Sequence, residues 1–440
     1  MMKNKISIFW FRRDLRLDDN KGLYEALRHE TNVLPIFIFD KSILENLPGD
    51  DARVTFIYHT LQEMRKTLQE DHHTDLAIYL GKPLDVYKKL VDSYTINAVY
   101  TNHDYEPYAK SRDHEIAAFL KEHNIIFKTF KDQVIFEKNE IVKQDGDPYV
   151  VYTPYMKLWK QTFKSVTLEN YNAKNYFKNL IKWSDYPELY LPHLALEDIG
   201  FKKSSQNIAD YSVTSSLIQN YEAKRNFPAQ DATSRLGPHL RFGTVSIRNM
   251  VQKAVAEKNE VFWQELIWRE FFMQILWHFP HTATQSFKPV YDRIVWRNNE
   301  AEFKAWCEGK TGYPLVDAGM RQLNQTGFMH NRVRMLVGSF LCKHLLIDWR
   351  WGEAYFAEKL HDYEMASNIG NWQWVAGCGV DAAPYFRIFN PTTQIEKFDK
   401  NLEYIQQWVP DFQELSYPAP IVEHKFARER CLQVYKEALS

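Results

Sequence analysis

The chain has 440 residues and a formal net charge of −1 at pH 7, with 45% hydrophobic and 25% charged residues. This length is large for one hydrophobic core, so the sequence predicts two domains. The balanced charge excludes a strongly basic protein, so any surface for nucleic acid must come from local clustering of the 55 basic residues.

Short apolar runs alternate with helix-period segments over residues 1–130. The apolar runs predict five buried strands, at residues 6–11, 33–39, 76–80, 98–101 and 125–130. The segments between them predict four helices, at residues 21–29, 53–70, 84–93 and 111–123. This alternation predicts an α/β domain with a parallel, Rossmann-like sheet covered on both faces. No Gly-x-Gly-x-x-Gly follows the first strand, which disfavours a conventional dinucleotide site there.

The pattern breaks down over residues 131–205, where Tyr, Lys, Asn and Pro are frequent. The segment contains four prolines that interrupt regular structure: Pro148, Pro154, Pro187 and Pro192. The sequence therefore predicts a long interdomain connection with short helices.

Long amphipathic segments dominate residues 206–440. They predict helices at residues 213–226, 245–257, 262–277, 300–308, 315–326 and 332–346. This part of the chain is therefore predicted to be a separate all-α domain.

The four cysteines are Cys307, Cys342, Cys378 and Cys431. Their wide spacing fits neither a metal or cluster motif nor a disulfide framework, so we expect no metal site and a reduced, cytoplasmic setting. The first apolar run contains charges and is not followed by a small-residue cleavage site, which argues against a signal peptide. No apolar stretch approaches the roughly 20 residues of a membrane span, so no membrane association is expected.

The segment Thr233 to Leu240 combines two hydroxyls, an Arg and a Gly-Pro step before a helical run. Such residues can form an anion cradle at a helix N-terminus. An ordinary capped helix start is the alternative, and for the segment alone it is favoured, because capping is the common use of such residues.

Glu265, Trp268 and Arg269 are spaced to share one face of a helix. A carboxylate, an indole and a guanidinium together suit base stacking and polar recognition. A solvated ion-pair face with a half-buried Trp268 is the structural alternative.

A predicted helix opens with Asn331, Arg332 and Arg334, and Met335 follows. The Asn and Arg side chains suit phosphate contacts, while Met335 offers a soft apolar contact. Surface arginines at an ordinary helix start remain the alternative.

The densest motif runs from Asp362 to Trp374 and continues from Asp381 to Pro391. Acidic, amide and indole side chains alternate within it. Such a mixture is unusual in a core, where every buried polar atom needs a partner. The motif therefore favours a binding site over core packing.

These four motifs resemble the flavin and DNA-lesion sites of the photolyase/cryptochrome family. Three further segments strengthen the resemblance: residues 9–20 (FWFRRDLRLDDN), 152–155 (YTPY) and 309–314 (GKTGYP). The resemblance covers nearly the whole chain and is closest to class I photolyases, which act on cyclobutane pyrimidine dimers. It implies an N-terminal α/β antenna-type domain and a C-terminal helical domain that binds FAD and DNA.

The resemblance also implies the residues that contact FAD. The positions matching the phosphate side of the flavin are Tyr221, Thr233, Ser234, Arg235, Leu236 and Gly237. Asp362 and Glu364 match two acidic positions near the ribityl and isoalloxazine groups, although the second is typically Asp. Asn368 matches the position that faces the central-ring nitrogen, where a neutral amide supports the reduced flavin. Plant cryptochromes carry Asp and insect cryptochromes Cys at this position, so Asn favours repair over signalling.

A further set of positions matches the pocket that receives the flipped-out dimer and its DNA strand: Arg225, Glu265, Trp268, Arg269, Asn331, Arg332, Met335, Trp374 and Arg387. The dimer leaves the duplex easily because its pairing is already weakened. Glu265 is expected to hydrogen-bond to a pyrimidine edge and to stabilise charge during ring splitting. Trp372, Trp349 and Trp296 match the family's electron relay to the flavin.

The chain also departs from the family pattern. Tyr108 and Ala109 stand where folate-binding members carry Asn and Glu, which disfavours a methenyltetrahydrofolate antenna. A deazaflavin, a flavin or no second chromophore all stay open. Phe262 and Phe328 replace Trp residues of well-known members.

The sequence thus predicts a monomeric, FAD-dependent, light-requiring lyase acting on DNA that contains pyrimidine dimers. A cryptochrome-like blue-light photoreceptor is the first alternative. A dark flavin oxidoreductase and a DNA-binding module without chemistry are the others.

Overall fold

The computed structural model describes residues 5–182, 184, 192 and 194–440. The chain forms two compact units, the first from residues 1–137, 163–209 and 236–253, and the second from residues 138–162, 210–235 and 254–440. The segment predicted as a connection is therefore shared between them. The division into residues 1–130, 131–205 and 206–440 stays a prediction, and Pro187 lies outside the described residues.

The first unit contains a five-stranded sheet. Its strands are β1 (Lys5–Phe11), β2 (Val33–Asp40), β3 (Ala77–Gly81), β4 (Thr95–Asn102) and β5 (Ile126–Phe130). The strand order is β3-β2-β1-β4-β5, and every neighbouring pair is parallel. The predicted parallel α/β sheet is thereby confirmed.

Burial explains why the apolar runs located the strands so closely. All eight residues of β2 are buried, as expected for a parallel sheet with both faces covered. The first three residues of β4 were not predicted because two of them, Thr95 and Asn97, are polar. The side-chain amide of Asn97 donates a hydrogen bond to Glu30 Oε2 at 2.7 Å. This hydrogen bond allows a polar residue to stand in the strand, where the sequence shows no apolar run.

Nine α-helices occur before residue 257 in the described part of the chain: α1 (Lys21–His29), α2 (Lys41–Leu44), α3 (Ala52–His72), α4 (Pro83–Ser93), α5 (Pro107–Glu122), α6 (Tyr152–Phe163), α7 (Ser215–Lys224), α8 (Leu236–Phe242) and α9 (Ile247–Ala256). Nine more follow: α10 (Glu260–His278), α11 (Glu300–Cys307), α12 (Pro314–Thr326), α13 (Asn331–Ser339), α14 (Trp349–Lys359), α15 (Met365–Ala376), α16 (Pro391–Phe398), α17 (Glu403–Trp408) and α18 (His424–Leu439).

The second unit is helical, as predicted, and its core packs around α12 to α15. The segment predicted as one helix over residues 332–346 is α13 followed by a π-helical turn, Phe340–His344. Helices α14 to α18 were not predicted. None of the helices in the described ranges is long and apolar enough to span a membrane.

Candidate active site

A cavity of about 360 Å³ opens in the second unit, between α10, α13 and α15. Its volume lies within the range of small-molecule sites. Many of the predicted site residues line it together: Arg225, Glu265, Trp268, Arg269, Asn331, Met335, Asp362, Glu364, Asn368, Trp372 and Trp374. The dense motif and the α10 motif, separated by about a hundred positions in sequence, therefore meet in one cavity.

Asn368 lies on α15, and its side-chain amide is fixed by a neighbouring helix. The Nδ2 atom donates to Glu353 Oε1 at 2.9 Å and to the Glu353 backbone carbonyl at 3.1 Å. An ionised carboxylate and a carbonyl only accept hydrogen bonds, so the NH₂ group must face Glu353. The Oδ1 atom of Asn368 is then the atom available to accept a hydrogen bond from a ligand.

The two acidic residues of the dense motif are each paired with an arginine. Arg334 donates to both carboxylate oxygens of Asp362, at 2.9 and 3.2 Å. Glu364 is buried and lies 3.3 Å from Arg269 Nη2. Paired and hydrogen-bonded carboxylates are the form in which such groups are tolerated at partly buried sites. Arg334 thus joins the set of site residues through its partner Asp362.

Trp268 does not present both indole faces to the cavity. The Tyr152 ring stacks on it with centroids 3.5 Å apart and an interplanar angle of 7°. Tyr152 is itself held by a hydrogen bond from its hydroxyl to the Gln264 carbonyl, at 2.9 Å. One face of Trp268 is therefore covered by protein, and only the remainder is available to a ligand.

Three arginines carry positive charge beside the cavity. Arg225 forms an ion pair with Glu265, and Arg332 donates to Asn226 Oδ1 at 2.5 Å. The pKa of Arg332 is lowered by burial and by the charges of Arg225 and Arg387. Guanidinium groups that repel one another in this way form a local positive surface despite the balanced net charge.

The three predicted relay residues share one apolar core. Trp349 and Trp372 are buried, and Trp296 is partly buried against the same core. Trp372 also lines the cavity, and its ring lies 5.0 Å from that of Phe356. Trp296 packs edge-on against Tyr435 at 6.1 Å.

The residues predicted for the phosphate side lie outside the cavity lining. Tyr221, on α7, packs edge-on against Phe262 at 5.1 Å, and burial raises the pKa of its hydroxyl. Arg235 stacks over the Phe328 ring at 3.7 Å and adopts a positive φ of 56°. The neighbouring residues of this set are Thr233 and Ser234 in the second unit, and Leu236 and Gly237 at the start of α8 in the first.

Sequence reasoning missed several residues at this site. Glu353 lies outside the four motifs and gave no signal, because its role depends on α14 packing against α15. Tyr152 belonged to a recognised segment but not to a predicted site. Phe272 lines the cavity and was hidden in the apolar pattern of α10.

Tyr108 and Ala109 lie on α5 in the first unit. The Tyr108 hydroxyl donates to Asp40 Oδ2 at 2.5 Å, and burial raises its pKa to about 12. Ala109 is buried and offers no side-chain hydrogen bond. Within the described ranges, no group of three or more His, Cys, Asp or Glu side chains is arranged to hold a metal ion.

Comparisons with known proteins agree on one family. The family model described as DNA photolyase matches residues 7–173, and the FAD binding domain of DNA photolyase matches residues 262–437. A deoxyribodipyrimidine photo-lyase of Synechococcus is 35% identical over 98% of this chain and 96% of the relative. The helical unit is accordingly a FAD-binding domain.

Solved structures give the same result. A class III photolyase from Agrobacterium tumefaciens superposes with a TM-score of 0.87 at 33% identity, covering 100% of this chain and 98% of its own. An archaeal photolyase from Sulfolobus tokodaii, solved with two FAD molecules, has a TM-score of 0.81 at 33% identity, with 99% and 100% coverage. A Synechocystis cryptochrome shares the fold at 24% identity and a TM-score of 0.86, covering 99% and 100% of the two chains.

Proposed function

The chain belongs to the DNA photolyase family, and from this premise we propose that it repairs cyclobutane pyrimidine dimers in DNA in a light-dependent reaction. The observation that carries the proposal is that one cavity is lined by residues from both predicted sets, those on the ring side of the flavin and those that contact the dimer. Asn368 and Asp362 belong to the first set, and Trp374 and Met335 to the second. A donor and an acceptor bound in one cavity are close enough to exchange an electron.

The residues of the cavity fit FAD on chemical grounds. Asn368 offers Oδ1 as an acceptor for an N–H of the reduced ring, because its NH₂ group is engaged by Glu353. Arg334 and Asp362 offer a fixed donor and acceptor pair for the polar edge of the ring and the ribityl chain. When bound and reduced, FAD supplies the light-driven electron and takes it back after the two carbon–carbon bonds of the cyclobutane ring have broken.

The chain's own residues bind and orient the dimer. Trp374, Met335 and the uncovered part of Trp268 provide apolar contacts for the saturated rings. Glu265, held beside Arg225 by their ion pair, provides a hydrogen-bond acceptor for a pyrimidine edge and stabilises the charge that develops there. Tight contacts of this kind also exclude water from the cavity.

The arginines beside the cavity provide contacts for the DNA backbone. Arg387 is exposed, and its charge acts on Arg332, so the two guanidinium groups lie near each other. Phosphate contacts fix the position of the strand without reading its sequence. We therefore assign Arg225, Arg332 and Arg387 to the phosphates around the lesion.

The same proposal extends to the remaining predictions. Trp372, Trp349 and Trp296 carry electrons to oxidised FAD, and the residues from Thr233 to Gly237 contact its phosphates. The protein acts as a cytoplasmic monomer on dimer-containing DNA. If a second chromophore is bound, the buried Ala109 disfavours folate.

A repair assay tests the proposal. Reduced protein is mixed with an oligonucleotide that contains one cyclobutane thymine dimer, and samples are kept in blue light or in darkness. We expect intact thymines to be restored only in the light. If bound FAD is present but no repair occurs, the protein acts on a (6-4) lesion or is a cryptochrome-like photoreceptor, and the roles given to Asn331 and Trp374 fail.

A further inference from the structure

Lys343 is a buried lysine within the π-helical turn that follows α13. It is only 1% exposed, and its ammonium donates to the backbone carbonyl of Arg387 at 2.8 Å. In the described part of the chain, no carboxylate forms an ion pair with it. Burial lowers the pKa of Lys343 to about 8. A buried cation held mainly by a carbonyl is costly for the fold, which suggests a role other than stability.

The partner of Lys343 lies in residues 384–389, which we name the Arg387 loop. The loop also packs on the protein through Tyr385, whose ring stacks on that of Tyr435 with centroids 5.8 Å apart. Two hydrogen bonds stay within this loop: Arg387 N to the Pro384 carbonyl at 2.9 Å, and Ile388 N to the Phe386 carbonyl at 3.1 Å. As far as the structure describes the chain, the Lys343 bond is the loop's single hydrogen bond to a residue outside it. The Phe386 side chain is 61% exposed, so the tip of the loop faces solvent.

The same helical segment carries both Lys343 and Arg332. Arg332 lies in the first turn of α13, and the π-helical turn with Lys343 continues directly from the end of this helix. A helical segment is stiff, so its two ends keep a fixed separation. The hydrogen bond to the Arg387 loop therefore ties the position of Arg387 to that of Arg332.

We propose that Lys343 is a positioning residue for DNA binding, which fixes the spacing between Arg387 and Arg332 so that both reach phosphates of the lesion strand. The proposal rests on the proposed repair function, because it presumes that these arginines meet DNA. Lys343 itself is buried and touches neither DNA nor FAD. Its effect is on affinity and not on the light-driven step.

The substitution Lys343→Met tests this role, since it keeps the length of the side chain and removes the donor. We measure the Kd for an oligonucleotide with one thymine dimer in the dark, and the repair yield per absorbed photon once the complex is saturated. We expect about tenfold weaker binding, the usual worth of a hydrogen bond from a charged group, with an unchanged yield. The Tm should stay the same or rise, because an unpaired buried charge is removed.

Two comparisons make the test specific. Lys304→Met removes an exposed lysine of the same unit, 77% accessible, and should leave the Kd unchanged. The variant Arg387→Ala should itself bind the dimer-containing oligonucleotide more weakly. Adding Lys343→Met to it should raise the Kd little further, because the effect of Lys343 on binding passes through Arg387. Lys343→Leu serves as a second variant without a donor if the Met variant does not fold.

Three results would overturn the inference: an unchanged Kd, a loss that adds fully to that of Arg387→Ala, or a fall in repair yield at saturation. In each of these cases, wild-type protein that repairs the dimer in light leaves the proposed function standing. Wild-type protein that neither binds nor repairs the dimer overturns both.

Discussion

The side-chain amide of Asn368 donates to Oε1 of Glu353 at 2.9 Å, across the contact between α15 and α14. This bond sets which end of the amide faces the cavity. The pKa of Glu353 is raised by burial and lowered by its hydrogen bond from Asn368, with burial the larger effect. The hydrogen-bonding direction of Asn368 is therefore decided by a residue that does not line the cavity.

Glu353→Leu should change the flavin's redox behaviour. Without the carboxylate, one of the two acceptors for the Asn368 NH₂ group is lost, and the amide can turn its NH₂ toward the ring. Reduced FAD would then lose an acceptor, so we expect a lower midpoint potential and faster reoxidation in the dark. Flavin absorption during a redox titration gives the midpoint potential, and flavin absorption after a light pulse gives the rate of reoxidation in the dark. Glu358→Leu, a more exposed change on the same helix, is the control, and equal effects in both variants would contradict the assignment.

Trp268→Ala should weaken the preference for damaged over undamaged DNA. The indole offers its uncovered part to the lesion, and one stacked base is worth about 1–3 kcal/mol. Because Tyr152 occupies one face, we expect a value near the lower end of this range. The measurement is the ratio of Kd values for oligonucleotides with and without a dimer. Trp277→Ala, on the same helix but outside the cavity lining, should keep the ratio, and an unchanged ratio in Trp268→Ala would remove this residue from the pocket.

Trp296→Phe should slow photoreduction of oxidised FAD and spare repair. Phenylalanine keeps the packing against Tyr435 but is a much poorer electron donor than indole. Flash photolysis of the oxidised protein measures the rate of FAD photoreduction. The repair assay with chemically reduced protein measures whether repair is kept. Trp351→Phe changes a partly buried indole at the same core and controls for packing. Loss of repair by pre-reduced Trp296→Phe protein would show that the relay assignment is wrong.

Stability should fall in acid because of His330. Burial and the charges of Arg334 and Arg235 lower its pKa from 6.5 to about 4, so the folded protein holds this ring neutral. The unfolded chain binds a proton below pH 6.5 and the folded chain only near pH 4. The contribution of His330 to the free energy of unfolding is therefore complete above pH 6.5. It is lost as the pH falls from 6.5 to about 4, and a pKa shift of this size corresponds to a loss of about 3 kcal/mol.

The free energy of unfolding, measured by urea titration at pH 7, 6, 5 and 4, tests this slope. His330 is the N-cap of α13, where its Nδ1 accepts from Arg332 N at 3.1 Å. His330→Asn preserves a capping acceptor and removes the titration. Between pH 7 and pH 4, the free energy of unfolding of this variant should fall less steeply than that of the wild type. An identical slope in both proteins would show that His330 does not cause the loss of stability in acid.

The sequence by itself located the strands of the sheet and many of the residues that line the cavity. The strands of the parallel sheet are buried on both faces, so each produces a continuous apolar run, and β2 is the clearest case. The cavity motifs stood out because polar and aromatic side chains occur together where a core would carry neither charge nor amide. Helix α15 escaped prediction for the same reason, since buried polar residues such as Asn368 and Gln373 obscure its apolar period.

Tertiary structure decided the contacts that orient those residues. The contacting pairs are far apart in sequence: 15 positions separate Glu353 from Asn368, 116 separate Tyr152 from Trp268, and 44 separate Lys343 from Arg387. No local pattern encodes such a pair, because a periodicity reports which face of an element is buried and not which element covers it. The composition of the site was therefore determined locally, whereas its hydrogen-bond directions and its exposed faces depend on packing between distant segments.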